Sequence, residues 1–428
     1  MDDFGRKVNK LKQLILNLSH SKVFFNNSFL FLFGLVYNQI FLQKINFIMS
    51  IKSILIIVFL VLNISIAGVA QTDSTNKKNY TFVSVHYSNG SVLPTNEFVK
   101  GENQFSTPMK KYQSASLKIG WQNPGYTNWQ KVHNAPYYGI GYFIGDLYNL
   151  QEVGYPMAAY GFLGIPIKRW KKVELYSEFQ FGVAFNWTHY DSITNPNNIA
   201  IGGGLTVFLD IGVVATYQVS KNIDLGVGIS FTHFSNGGFE RPNRGFNVYS
   251  PSVSLKYHIG RRADVRNIEK PPKNLEKSND LYFMIGYADY QINEHELDTN
   301  YYALGGLGIY YSWQHSNAFR SGPGIDFNYD FGLTANENGT PGTQGWDNVI
   351  IGLIYTPELI INRLSLVGGI GIYAKHYKYG NFAQTYQRLG ARYLITENIS
   401  AGINVRAINF MLAEYLEFNV GYRIRWVK

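Results

Sequence analysis

Between Tyr415 and Trp426 the chain alternates strictly: Phe418, Val420, Tyr422, Ile424 and Trp426 stand on one side of an extended strand, and Glu417, Asn419, Gly421, Arg423 and Arg425 on the other. Successive strand side chains point to opposite faces, so this segment offers one face to lipid and the other to a polar interior. No stretch after residue 70 approaches the roughly 20 apolar residues that a spanning helix needs, so any membrane crossing must be by strands. A content of 16% aromatic residues and 42 Gly, beside only 16% charged residues, fits an antiparallel transmembrane β-barrel rather than a cytoplasmic enzyme. The many Tyr and Trp read as interfacial girdle residues.

The same alternation recurs at barrel spacing. Eight candidate strands run approximately over Tyr80–Tyr87, Tyr112–Trp121, Tyr137–Gly145, Tyr155–Ile167, Val173–Trp187, Gly203–Val219, Ile223–Ser235 and Gly245–Ile259. Arg261–Asp280, charged and carrying Pro271-Pro272, cannot pair as a central strand and reads as a linker. Eight more candidates follow it: Leu281–Tyr290, Tyr301–Trp313, Gly324–Thr334, Trp346–Tyr355, Leu364–His376, Ala383–Leu394, Ile399–Phe410 and Tyr415–Trp426. The expected fold is all-β, two tandem eight-stranded barrels over 71–260 and 281–428, with one sixteen-stranded barrel as the alternative. Asn222–Val227 aligns with Asn398–Ile403, which suggests a duplication. Carried forward, that register sets Asn409 and Met411 where His233 and Ser235 stand, making the second half a repeat without the polar pair described below.

The N-terminus modifies the charge balance. From Met49, a short basic start, the apolar run Ile54–Ile66 and Gly68-Val69-Ala70 form the three parts of a secretory signal peptide over 49–70, with cleavage expected after Ala70. Residues 1–48 would then be an upstream extension from a mis-assigned start. Of 38 Lys+Arg and 29 Asp+Glu, residues 1–70 hold 7 and 2, which leaves 31 against 27 and removes support for nucleic-acid binding. With Cys 0, disulfides, thiolate metal sites and a lipoprotein anchor are excluded. No ligand cluster for calcium or zinc is visible, and no cofactor is expected.

One rim of the first half carries unusual polarity. Leu225, Val227, Ile229 and Phe231 form an apolar row that ends in His233 and Ser235. After a Gly-Gly…Pro-Asn-Arg-Gly turn, the next strand has the row Asn247, Tyr249, Pro251, Val253, Leu255, polar again only beside the turn. A Ser, a His and an Asn thus converge at the edge of a greasy surface, as a hydrolytic site acting on a lipid would require. In a barrel entered from the periplasm the odd strands rise, so the short turn Ser220–Asn222 directs the Asn236–Arg244 loop outward, to the outer-leaflet level. The Gln122–Pro136 connection is longer than a periplasmic turn should be.

His233-Phe234-Ser235-Asn236, followed by Gly238, Pro242-Asn243 and Gly245, resembles the signature of PagL-type lipid A deacylases of Gram-negative outer membranes. The resemblance implies an eight-stranded barrel with a Ser-His-Glu triad on its lipid-facing exterior, a lipid A or lipopolysaccharide substrate among membrane lipids, and outer-membrane localisation. It implies Ser235 as nucleophile, His233 as general base, and backbone N–H groups around Asn236 and Gly238 as oxyanion donors. Asn247 departs from the pattern, since it stands where the family has its Glu. An amide oxygen can orient the imidazole but carries no charge to stabilise it once protonated. Glu240, in the adjoining loop, is a possible substitute acid.

Two related motifs are set aside. His86-Tyr87-Ser88-Asn89-Gly90 lacks the Pro-Asn-x-Gly turn and continues the Ser84 row, expected to face the lumen. His315-Ser316-Asn317 has the wrong spacing and reads as loop. The leading function is an ester hydrolase that removes an acyl chain from lipid A, with the first half active by itself. A non-catalytic structural or adhesion barrel is the alternative, and a narrow pore comes third because side chains fill an eight-stranded barrel.

Overall fold

The computed structural model describes residues 78–269, 271, 277–292, 300–335, 342–409 and 412–427. The expected signal peptide, the upstream extension and Met411 lie outside them. Two closed antiparallel barrels follow one another, each with eight strands joined in chain order. The first contains β1 (Thr81–Val92), β2 (Lys111–Gln122), β3 (Tyr137–Asp146), β4 (Gly154–Arg169), β5 (Val173–Trp187), β6 (Thr206–Gln218), β7 (Ile223–Ser235) and β8 (Phe246–His258), and closes by pairing of β1 with β8. The second contains β9 (Ser278–Tyr290), β10 (Tyr302–Gln314), β11 (Phe319–Asp330), β12 (Val349–Ile361), β13 (Leu364–Lys375), β14 (Thr385–Leu394), β15 (Ile399–Ile408) and β16 (Leu412–Val427), and closes by pairing of β16 with β9. A single sixteen-stranded barrel is thereby excluded. No described helix is long and apolar enough to cross a membrane.

Several expected boundaries move: β1 runs past Tyr87 to Val92, for example, and three of the shifts have a visible cause. β9 begins at Ser278, inside the stretch read as linker, because Asp280 faces the lumen, where Arg320 and Arg425 receive its carboxylate. β11 and β12 run through Pro323 and Pro357, at which the periodicity reading stopped. Each proline interrupts one ladder without ending the strand: pairing jumps from Tyr310↔Gly324 to Trp313↔Ser321, and from Tyr355↔Ile370 to Glu358↔Val367.

Alternation sorts the side chains as expected. On β7, Leu225, Val227, Ile229 and Phe231 are exposed on the outside, while Asp224 and Thr232 are buried inside. Polar networks fill both lumens. In the first, Lys118 Nζ lies 2.5 Å from Glu178 Oε1, Tyr137 donates to Glu178 Oε2 at 2.7 Å, and Lys256 Nζ sits 4.2 Å from the Tyr137 ring centre. In the second, Asp326 accepts from Arg406 at 2.8 Å, Arg388 at 3.0 Å and Tyr386 at 2.7 Å. A cavity of about 40 Å³ beside His86 and Ser88 lies among the side chains that fill the first lumen, as expected of an eight-stranded barrel.

The barrels meet along one seam. At the end bearing the short turns, Trp129 and Tyr138 cluster with Ile361, Leu359 and Leu366 of the second barrel, and His133 Nε2 lies 2.6 Å from the Ile360 carbonyl. Trp129 belongs to α1 (Asn128–Val132), so the long Gln122–Pro136 connection is an inter-barrel packing element. At the opposite end the contact passes to the loop between β7 and β8, which Phe239 joins to Tyr301 with ring centres 5.1 Å apart. Strands tilted by about 35–45° wind roughly half a turn around an eight-stranded barrel over its height. The start of β3 and the end of β7 can therefore lie on one side of the same barrel.

Candidate active site

The site forms where β7 and β8 leave the apolar surface. His233 is paired directly with Asn247 across the ladder, and period-two alternation puts Ser235 on the same exterior row. His233 Nδ1 lies 2.7 Å from Asn247 Oδ1, and Nε2 lies 2.9 Å from Ser235 Oγ. An amide oxygen can only accept, so Nδ1 carries the proton and Nε2 is left to accept from the Ser235 hydroxyl. Asn247 Nδ2 donates to Thr95 Oγ1 at 3.1 Å, which fixes the orientation of the amide. Hydroxyl, imidazole and amide thus form one directed relay. Ser235 is 8% exposed, whereas Val227 on the same row is 61% exposed.

The loop that closes this rim is built by side chains. Asn243 Oδ1 accepts from the Asn236 amide at 3.0 Å, Asn236 Oδ1 accepts from the Gly238 amide at 3.0 Å, and Asn236 Nδ2 donates to the Glu240 carbonyl at 2.7 Å. The two amides expected as oxyanion donors are therefore engaged inside the loop. Asn243 Nδ2, in contrast, is buried without a partner. Glu240 turns its carboxylate over Gly203, and both ring nitrogens of His233 are taken by Ser235 and Asn247. Gly245 has φ +69°, and a Cβ there would fall 2.7 Å from the Phe234 carbonyl and 3.3 Å from His233 Cε1, so the close return of the chain beside His233 requires glycine.

Thr95, Asn96 and Asn243 were not picked out as site residues by the sequence. Asn96, buried ahead of the short helix Glu97–Lys100, donates to the Gly245 carbonyl at 2.9 Å and ties the β1–β2 loop to the site. A polar residue in a loop some 150 positions away leaves no local periodicity to detect. Asn243 had registered only as part of a turn.

The competing motifs resolve by position. His86 lies on the lumenal side, 3.1 Å from Ser84 Oγ, and lines the interior cavity with Ser88. His315 follows β10 in a turn and contacts Ser321 Oγ at 2.7 Å, but Tyr355 occupies the same oxygen at 2.6 Å and Ser321 is 2% exposed. In the second barrel Asn409 ends β15 with φ +52° and its Oδ1 accepts from Gln384 at 3.0 Å.

Residues 115–256 match the family model described as lipid A 3-O-deacylase (PagL), and residues 277–426 match that of the acyloxyacyl hydrolase C-terminal domain. The chain belongs to the PagL family. Between them the two PagL models take in well over half of the sequence. Among solved structures, the outer membrane enzyme PagL is 16% identical, with 40% of this chain and 97% of that one covered at a TM-score of 0.27. Neisserial surface protein A is 11% identical, covering 41% and 96%, at 0.28. No curated protein matches the chain. As a PagL-family barrel the protein is a hydrolase-family member of the Gram-negative outer membrane.

Proposed function

We propose that the protein is a serine esterase that hydrolyses an acyl ester of lipid A at the outer leaflet. The hydrogen-bonded sequence Ser235–His233–Asn247 on a lipid-facing row carries this reading. A serine hydroxyl becomes nucleophilic only when a neighbouring base can accept its proton, and the base needs a third group to fix its tautomer. Ser235 Oγ attacks the ester carbonyl as its proton passes to His233 Nε2. The tetrahedral oxyanion needs donors that are not already engaged, and Asn243 Nδ2, buried and unpartnered, is the side-chain donor available. Collapse breaks the bond to the sugar oxygen, which takes the proton from His233 and leaves. Water, deprotonated by His233, then releases the fatty acid from Ser235.

Lipid A supplies what this geometry demands, an ester at the depth of the rim and an acyl chain that lies along the exposed row of Phe231, Ile229 and Tyr249. Mass spectrometry of lipid A from cells expressing the wild type should show loss of one acyl chain, and cells expressing Ser235→Ala should show none. Identical lipid A in both would instead favour a structural or adhesion barrel.

A further inference from the structure

The loop that shapes the site leans on the other barrel. Gly237 and Gly238 follow Ser235-Asn236 with φ of +69° and +85°. A Cβ on Gly237 would lie 3.0 Å from Leu416 Cβ, and one on Gly238 would lie 2.8 Å from the Glu414 carbonyl oxygen, both on β16. The Arg241 amide donates to Gln291 Oε1 at 2.8 Å, just beyond β9. Phe239 packs on Tyr301, just before β10. Three separate segments of the second barrel thus grip one loop. Leu416 belongs to the outward row of β16, where Val420 is 57% and Tyr422 53% exposed, yet it is itself 3% exposed beneath that loop.

We propose that the second barrel is a positioning wall for the catalytic loop of the first, with Leu416, Gln291 and Tyr301 as positioning residues that hold the 236–245 loop in its reactive conformation. The inference rests on the esterase reading for its chemistry. The first barrel holds the far end of the loop, where the Arg244 and Gly245 amides donate to the Ile199 and Ala200 carbonyls at 3.0 and 2.9 Å. Two adjacent glycines in the left-handed region nevertheless leave its near end many alternative conformations, and that end is the part the second barrel covers. Displacement of a reacting group by about 1 Å can lower a rate by about 10²-fold. A barrel without its own Ser–His relay at the matching rim can therefore act in the reaction without touching the substrate.

The test uses the full chain in outer-membrane vesicles and a long-chain alkyl fluorophosphonate. This probe reads Ser235 directly, because the serine oxygen forms a bond to phosphorus, fluoride leaves, and the hydroxyl proton passes to His233. Leu416→Arg and Tyr301→Ala should each lower the maximal labelling rate about tenfold or more, at unchanged half-saturating probe concentration and unchanged heat-modifiable migration, while Leu416→Met labels like the wild type. In this cysteine-free chain, the pair Phe239→Cys and Tyr301→Cys should cross-link in the membrane with a short bis-maleimide. Wild-type labelling rates in Leu416→Arg and Tyr301→Ala, or no cross-link in the folded protein, would overturn the proposal. If the wild type labels and cross-links, the variants slow, and lipid A is nevertheless unchanged, the positioning wall stands and the lipid A reading falls.

Discussion

Replacing Asn247 by Asp changes one terminal group and adds one charge at a point already 2.7 Å from His233 Nδ1. The amide oxygen now holds the ring as a neutral dipole. When Nε2 takes the Ser235 proton, a carboxylate in the same place would face a full positive charge. Two unit charges about 4 Å apart attract by about 4 kcal/mol at an effective dielectric of about 20, and part of that is lost in desolvating the carboxylate. A net gain of about 1.5–3 kcal/mol should raise kcat by about 10 to 10²-fold. Thr95, which now accepts from Nδ2 at 3.1 Å, can turn its hydroxyl to donate to the new oxygen. Asn247→Ala removes a hydrogen bond to a group that becomes charged, worth about 1.5–3 kcal/mol, and should lower kcat by a similar factor. Asn247→Glu should gain less, because its extra methylene carries the carboxyl past the present contact. The assay is fatty-acid release from lipid A in mixed micelles, with kcat and KM measured separately. Full activity in Asn247→Ala together with an inactive Glu240→Gln would show that Glu240 orients the base and would refute this account. Full activity in both, with Ser235→Ala inactive, would reduce the site to a dyad.

Other expectations are simpler. Ser235→Ala and His233→Ala should each abolish release, and the double variant should be no worse than either, because the members act as a unit. His86→Ala should keep wild-type rates, since His86 faces the lumen. In the second barrel, Asp326→Asn leaves Arg388 and Arg406 without their shared carboxylate. Removing one partner of a buried charge network costs about 3–5 kcal/mol, so the heat-modifiable form should unfold at clearly lower urea concentration.

Period two made much of this legible. Alternation along β7 and β8 put His233, Ser235 and Asn247 on one side before any contact was known, because a strand fixes the face of every residue once one is assigned. It failed where the chain keeps its strand but loses a local signal: Pro323 and Pro357 interrupt a ladder, and Asp280 looks like linker until its lumenal arginines are in view. Nothing local marks Thr95 as a partner of Asn247, or Leu416 as a neighbour of Gly237, because these contacts join segments 150 or more positions apart. The contacts between the β7–β8 loop and the second barrel are equally distant in sequence and leave no local signal. If they hold that loop, residues 71–262 expressed alone should label or hydrolyse more slowly than the full chain.

The filled lumens have a consequence for how such an enzyme meets its substrate. Among the described residues, Lys118, Glu178 and Lys256 pack across one interior and Asp326 with its arginines across the other, while Ser235 stands on the outward row. On the esterase reading, substrate would then reach Ser235 from the lipid side, by sideways diffusion within the leaflet. Turnover would follow the mole fraction of lipid A in the surface rather than its amount per volume of buffer, so diluting the bilayer with inert lipid or detergent should slow the reaction at constant bulk concentration.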